Sequence, residues 1–287
     1  MDSSDEAKVT DGSRFIGDHP NRSQNRRRSP TANLGRERGP RLAVLAHEGK
    51  YSIMYGSWPL PIGSGHRTGY IARPDAAGRF PVVLVISTIN GLTSTEKDIC
   101  RRLARSGLAA VAIDFYRDVT EDPIISYGEL PDARAVTDID EVRAFVASED
   151  VDWAVSAEVG LFGLDVGGRF ALITAATRPW VKSLALAYTP LTGDEERSHQ
   201  VADFLSNLPV PVLAMYGTDD DLISASTVDE AQRRNDHGQW LLYDGARHGF
   251  LDVESDGFDQ ASADDAMARV IAFFRASLDP AEEIALG

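Results

Sequence analysis

The sequence predicts an α/β fold, a mostly parallel central sheet with helices on both faces. Three observations carry that reading. Several strand-length runs are continuously apolar, such as Val82-Val83-Leu84-Val85-Ile86 and Ala109-Ala110-Val111-Ala112-Ile113, as suits strands covered on both faces. Helical patterns alternate with these runs along the chain. One run, Glu158 to Phe162, leads through Gly163-Leu164-Asp165-Val166-Gly167-Gly168 into a buried helical pattern. In this strand, sharp turn and helix, the glycines relieve the collisions that side chains would suffer where the chain reverses.

Residues 1–41 are rich in Ser, Asn, Arg, Asp and Gly without periodicity and read as a disordered polar tail. Its Arg26-Arg27-Arg28-Ser29-Pro30 cluster reads as solvated. Residues 42–287 read as a single domain, with no internal repeat and no second hydrophobic pattern. Strands are expected at Tyr51 to Gly56, His66 to Arg73, Val82 to Ser87, Ala109 to Asp114, Val159 to Phe162, Leu184 to Ala187, Val212 to Tyr216 and Trp240 to Tyr243. Helices are expected at Glu96 to Ser106, Asp138 to Ser148, Arg169 to Thr177, Ser226 to Arg234 and Ala261 to Ser277. The stretch Arg117 to Pro131 follows a strand end with little periodicity and reads as part of a pocket cover. Trp153, Trp180 and Trp240 read as packing residues.

With 287 residues, 43% of them hydrophobic, the chain can bury one large core. No run approaches the ~18 consecutive apolar residues of a membrane span. The N-terminus carries Asp2, Asp5 and Glu6 with no apolar core of a signal peptide, so a cytoplasmic protein is expected. The single cysteine, Cys100, excludes an internal disulfide and reads as a packed thiol on a helix. The formal charge of −15 is unevenly spread: residues 1–41 hold nine Lys or Arg and six Asp or Glu, leaving 20 against 38, a net −18, for the rest. A body that acidic repels nucleic acid and anionic membranes. Six scattered histidines without cysteine partners suggest no metal site, no cofactor is expected, and the oligomeric state is left open.

The chemistry-bearing residues come in a telling order. After the turn at Asp165, a second strand ends in Met215-Tyr216-Gly217-Thr218-Asp219-Asp220-Asp221, which puts carboxylates at the C-terminal edge of a parallel strand, where open α/β sheets place ligands. The next strand runs into Asp244-Gly245-Ala246-Arg247-His248-Gly249-Phe250. Nucleophile position, acid, histidine is the α/β-hydrolase order.

From about residue 50 to 277 the chain resembles the dienelactone hydrolase family, a branch of the α/β-hydrolases. The matching stretches are Ile89-Asn90-Gly91-Leu92, Ala110 to Tyr116, Gly163 to Arg169, Gly217-Thr218-Asp219-Asp220 and Gly245 to Phe250. Carried over residue by residue, the resemblance makes Asp165 the nucleophile position, His248 the base and Asp220 the triad acid. Asp220 is preferred to Asp219 and Asp221 because it lies three residues after Gly217, as the family's acid does. The backbone N–H groups of Ile89 and Val166 would form the oxyanion hole. Arg117, and Arg169 one helical turn beyond Asp165, are candidate substrate contacts, with pairing on the helix surface as the other reading of Arg169.

This chain departs from the family pattern at three positions. Asp165 stands where the family has cysteine, Thr88 where it has the glutamate that holds the resting thiol, and Asp252 where it has a carboxylate-binding arginine. A carboxylate is ionised at neutral pH without a base. Its attack on an ester gives a mixed anhydride, whereas attack on an sp³ carbon bearing halide or epoxide oxygen gives an ordinary alkyl ester, which His248 would hydrolyse by activating water. The expected function is a hydrolase acting on a small ester, lactone or alkyl electrophile through Asp165, His248 and Asp220. The alternatives are a dehalogenase or epoxide hydrolase working through an aspartyl ester, and an inactive pocket-binding or regulatory homologue.

Overall fold

The computed structural model describes residues 43–45, 50–63, 65–116, 127–192 and 200–278. The chain divides into two units, Met1–Arg38 and Gly39–Gly287. Every described residue lies in the second; the tail expected over 1–41, with its basic cluster, lies outside them, as does Arg117.

The strands are β1 (Ala43–Leu45), β2 (Ile53–Ile62), β3 (Gly65–Pro74), β4 (Phe80–Ile86), β5 (Ala109–Ile113), β6 (Ala154–Leu164), β7 (Val181–Ala187), β8 (Val212–Gly217) and β9 (Gln239–Tyr243). Interleaved with them run α1 (Ser94–Arg105), α2 (Asp132–Val146), α3 (Gly167–Thr177), α4 (Val201–Leu205), α5 (Ala225–Arg234) and α6 (Gln260–Leu278). The nine strands form one sheet in the order β1-β2-β3-β5-β4-β6-β7-β8-β9. Pairings from β5 to β9 are parallel, and β1, β2 and β3 join antiparallel at one edge. The mostly parallel sheet expected from the sequence is present.

The apolar runs lie where two-faced burial requires them. Every residue of β5 and β8 is buried, whereas β9 at the sheet edge is half exposed. Helices α1 and α6 touch each other, and α2, α3 and α4 pack in succession, so the sheet is covered on both sides. Under α6, Gly160 of β6 leaves room for Phe274, whose ring meets Phe162 with centroids 6.4 Å apart.

Several boundaries differ from the sequence reading. β2 continues to Ile62 through Pro59 and Pro61, because β1 pairs only with residues 53–55 and leaves the far end of β2 an edge on that side. The two prolines share parity, so their missing N–H groups fall on one side of the strand, as edge prolines require. Helix α2 begins at Asp132 rather than Asp138; its opening turns mix Asp132, Arg134 and Thr137 with the buried Ala135 and Val136, and the buried Asp138 is held by Arg134 at 2.7 Å.

The chain leaves β4 to form β5 on one side and β6 on the other. That reversal opens a crevice at the carboxyl ends of β4 and β6, the usual ligand position in such sheets. Ile86 at the end of β4 lies beside Gly163 of β6, so the loop after β4 and the turn at Asp165 are neighbours.

Candidate active site

Asp165 sits on the turn between β6 and α3 with φ 49°. Non-glycine residues rarely adopt this left-handed region, and where one does the strain is stored at sites that need it. The surroundings enforce the turn. A Cβ on Gly163 would strike the backbone of Gly168, and one on Gly167 the carbonyl oxygen of Ser87. The Asp165 N–H donates to the Ala187 carbonyl at 3.0 Å, and the Asp165 carbonyl accepts from Gly168 N–H at 3.0 Å. The carboxylate thereby projects above the sheet with 15% exposure.

His248 brings the other two residues together. Its Nε2 lies 3.4 Å from Asp165 Oδ1, and its Nδ1 lies 2.9 Å from Asp220 Oδ2. Asp220, after β8, is fixed through its other oxygen, which accepts the N–H groups of Leu222 and Ile223 at 2.9 Å each. Burial alone would raise the Asp220 pKa, but the hydrogen bond and charge of His248, with those two amides, hold it below the usual carboxylate range. For His248, burial works against the charged ring, yet Asp165 and Asp220 outweigh it and push its pKa up to about 9. Its two acidic neighbours thus favour the charged form of the ring.

Ile89 lies in the loop after β4, and Val166 is the N-cap of α3. Neither amide donates to a protein acceptor among the described residues. The β4 loop is braced by Glu96, which is buried in the first turn of α1. Its Oε1 accepts from Thr88 N–H at 3.3 Å, while its Oε2 accepts from the Thr93 N–H at 2.8 Å and the Thr93 hydroxyl at 2.6 Å. The Thr93-Ser94-Thr95-Glu96 capping pattern was a readable sequence signal for this residue. Burial raises the Glu96 pKa against those stabilising bonds.

Arg169 is not the helix-surface arginine that the sequence allowed. It is 2% exposed, and its Nε and Nη2 grip the two oxygens of Asp132 at 2.8 and 2.7 Å. With Val166, Tyr127, Leu191 and Gln200 it lines a small cleft. Asp252 lies four residues after His248 and is also buried. Tyr188, immediately after β7, is a second strained residue, with φ 39°. Its ring meets His248 and Phe250 edge-on at 5.2 and 5.6 Å, and its buried hydroxyl has no hydrogen-bond partner among the described residues. No sequence signal marked it. The expected packing roles fit elsewhere: Cys100 is buried in α1, and Trp180 and Trp240 pack on the core with Nε1 bonded to Asp140 and the Asn235 carbonyl. Among the described residues no acidic, histidine or cysteine cluster could hold a metal ion, and no helix is long and apolar enough to cross a membrane.

Comparisons with known proteins identify the family. A model of the dienelactone hydrolase family matches residues 68–278. The chain is 30% identical over 252 residues to a "putative carboxymethylenebutenolidase" of Salmonella typhimurium, covering 82% of this chain and 92% of that one. It is 31% identical over 238 residues to a protein of the same description from Methylorubrum extorquens, covering 78% and 81%. Among solved structures, a dienelactone hydrolase homologue from Klebsiella pneumoniae superposes with a TM-score of 0.70 at 28% identity, covering 77% of this chain and 98% of that one. With a sheet, crevice and turn of this kind, and a family match across most of its length, the chain belongs to the dienelactone hydrolase family and is a hydrolase.

Proposed function

We propose that the protein hydrolyses a small lactone, ester or alkyl electrophile through a covalent intermediate on Asp165, with His248 and Asp220 completing the triad. The observation that carries this reading is His248 spanning Asp165 and Asp220, with Asp165 raised on a strained turn. The relatives' name, carboxymethylenebutenolidase, denotes a substrate among the butenolides, which are lactones, and this supports the substrate class.

The chemistry of a carboxylate refines it. Attack of an Asp165 oxygen on an sp³ carbon forms an alkyl ester and breaks the bond from that carbon to its leaving group. An oxygen leaving group suits this site better than halide, because the resting imidazolium can hand its proton to the departing oxygen. The ring is then neutral, and one of the two anions that held its proton has been esterified away. Neutral His248 can take a proton from water, and the hydroxide adds to Cγ of Asp165. The amides of Ile89 and Val166 would receive the oxyanion, with the start of α3 adding its dipole. Collapse expels the alkoxide, which is protonated by His248. The regenerated carboxyl then returns a proton to His248, restoring the starting ion pair.

A neutral substrate fits best. The described site sets the carboxyls of Asp165 and Asp220 against one imidazolium, and Arg169 is bonded to Asp132. The test is intact mass during incubation with epoxides, lactones, esters and haloacids. An adduct on Asp165 that persists in His248→Ala is the expected result. An adduct on another residue, or undiminished turnover by Asp165→Ala, would refute the route.

A further inference from the structure

Three consecutive residues in the first turn of α1 hold two different loops of the site. Glu96 accepts the Thr88 N–H and so braces the loop that carries Ile89. Its neighbour Thr95 faces the segment after His248. The Thr95 hydroxyl donates to Asp252 Oδ1 at 2.7 Å, and the same hydroxyl oxygen accepts the Val253 N–H at 3.2 Å. Asp252 Oδ1 also accepts the Glu254 N–H at 3.0 Å, and the Asp252 N–H turns back to the Gly249 carbonyl at 2.8 Å. At the surface, Ser94 donates through its N–H and hydroxyl to Glu254 Oε1 at 3.2 and 2.6 Å. Thr95 is 2% and Asp252 8% exposed, so their bond is shielded from competing water, where an unmade hydrogen bond is costly.

We propose that Asp252 is a positioning residue: through Thr95 it fixes the His248 segment to the helix end that braces the oxyanion loop, so one element sets the spacing of base and oxyanion donors. Asp252 touches no reacting atom. Its action is transmitted along the four residues to His248, whose ring must hold Asp165 and Asp220 together. The inference rests on the proposed roles of His248 and of the Ile89 loop.

The test compares Thr95→Val, Thr95→Ser, Asp252→Ala and Asp252→Asn, assayed on whichever member of the electrophile panel the native protein turns over. Thr95→Val deletes the hydroxyl at nearly constant shape and should lower kcat on the order of 10- to 100-fold, the usual consequence of a small misplacement, while KM changes less than about threefold. Thr95→Ser restores the donor and should recover most of the loss. In Asp252→Asn the side-chain oxygen still accepts both bonds, so its kcat should stay near native while that of Asp252→Ala falls. The double variant Thr95→Val with Asp252→Ala should be no worse than Asp252→Ala, since both delete one shared interaction. Hydrogen exchange supplies a readout independent of turnover: the Val253 and Glu254 amides should exchange faster in Thr95→Val and not in Thr95→Ser. Native kcat in folded Thr95→Val, unchanged exchange in that variant, or equal damage from Asp252→Asn and Asp252→Ala would overturn the proposal. If Asp252→Ala does not fold, the Thr95 pair decides. Undiminished turnover by His248→Ala would instead refute the reading of the triad, leaving the exchange result to judge the anchor.

Discussion

Replacing Asp165 by asparagine should lower the pKa of His248. The Asp165→Asn variant preserves shape and an oxygen acceptor, and changes one charge. In the native site the ring nitrogens lie 3.4 Å from Asp165 and 2.9 Å from Asp220, and the two carboxylates together overcome burial to push His248 up to about 9. That lies well above the ordinary value of about 6.5, and each unit corresponds to about 1.4 kcal/mol. Asp165 is a principal contributor to the rise, so its neutralisation should bring the midpoint down by about one unit or more, a loss of at least ~1.4 kcal/mol of charge stabilisation. The assay is an NMR titration of the His248 ring nitrogens from pH 5 to 10 in the native protein and the variant. A native midpoint near 6.5, or an unshifted midpoint in Asp165→Asn, would refute the argument that esterification of Asp165 frees His248 to act as base.

The same shift fixes the sign of a stability change. Because the folded pKa of His248 lies above its unfolded value, its contribution is fully present below about pH 6.5 and is lost as pH rises through about 9. Thermal melts should therefore fall more between those limits in the native protein than in His248→Gln. Asp220→Asn should reduce kcat on the order of 10⁴-fold, as in triads whose histidine loses its orienting carboxylate, with the fold intact by circular dichroism. Asp132→Ala removes the bidentate carboxylate bound to the buried Arg169 and should cost about 3 kcal/mol in denaturant melts, whereas Asp132→Ala with Arg169→Met should cost less. Gly167→Ala drives a Cβ into the Ser87 carbonyl and should cost about 1–3 kcal/mol, seen as a lowered melting temperature.

The sequence carried the parallel sheet and singled out Asp165, Asp220 and His248, which the fold brings together, because these are local signals. Continuous apolar runs mark two-faced strands, and the glycines around Asp165 mark a turn that few other residues permit. What stayed hidden depends on tertiary neighbours. The expected strand ended at Gly56, whereas β2 runs on through Pro59 and Pro61 because β1 stops short of them. Asp138 read as the start of a helix and Arg169 as a substrate contact or a helix-surface pair, yet both are buried with partners on a helix. Tyr188 has no local signature: its φ is positive, and its N–H donates to the carbonyl of Met215 on the neighbouring β8 at 2.8 Å. Asp252 stood out from the sequence only as a departure from the family pattern. Its bond to Thr95 spans 157 residues of chain and becomes visible only in the fold.

The covalent role of Asp165 is tested most directly by a single turnover in ¹⁸O-labelled water, followed by mass analysis of the peptide containing Asp165 and of the product. Attack of hydroxide on Cγ leaves the label in the Asp165 carboxylate and sends an original carboxylate oxygen out with the alcohol, so a peptide heavier by one ¹⁸O and an alcohol without label at the new hydroxyl are predicted. Label in the product together with an unlabelled Asp165 would mean that water attacks the substrate directly, and would contradict the account.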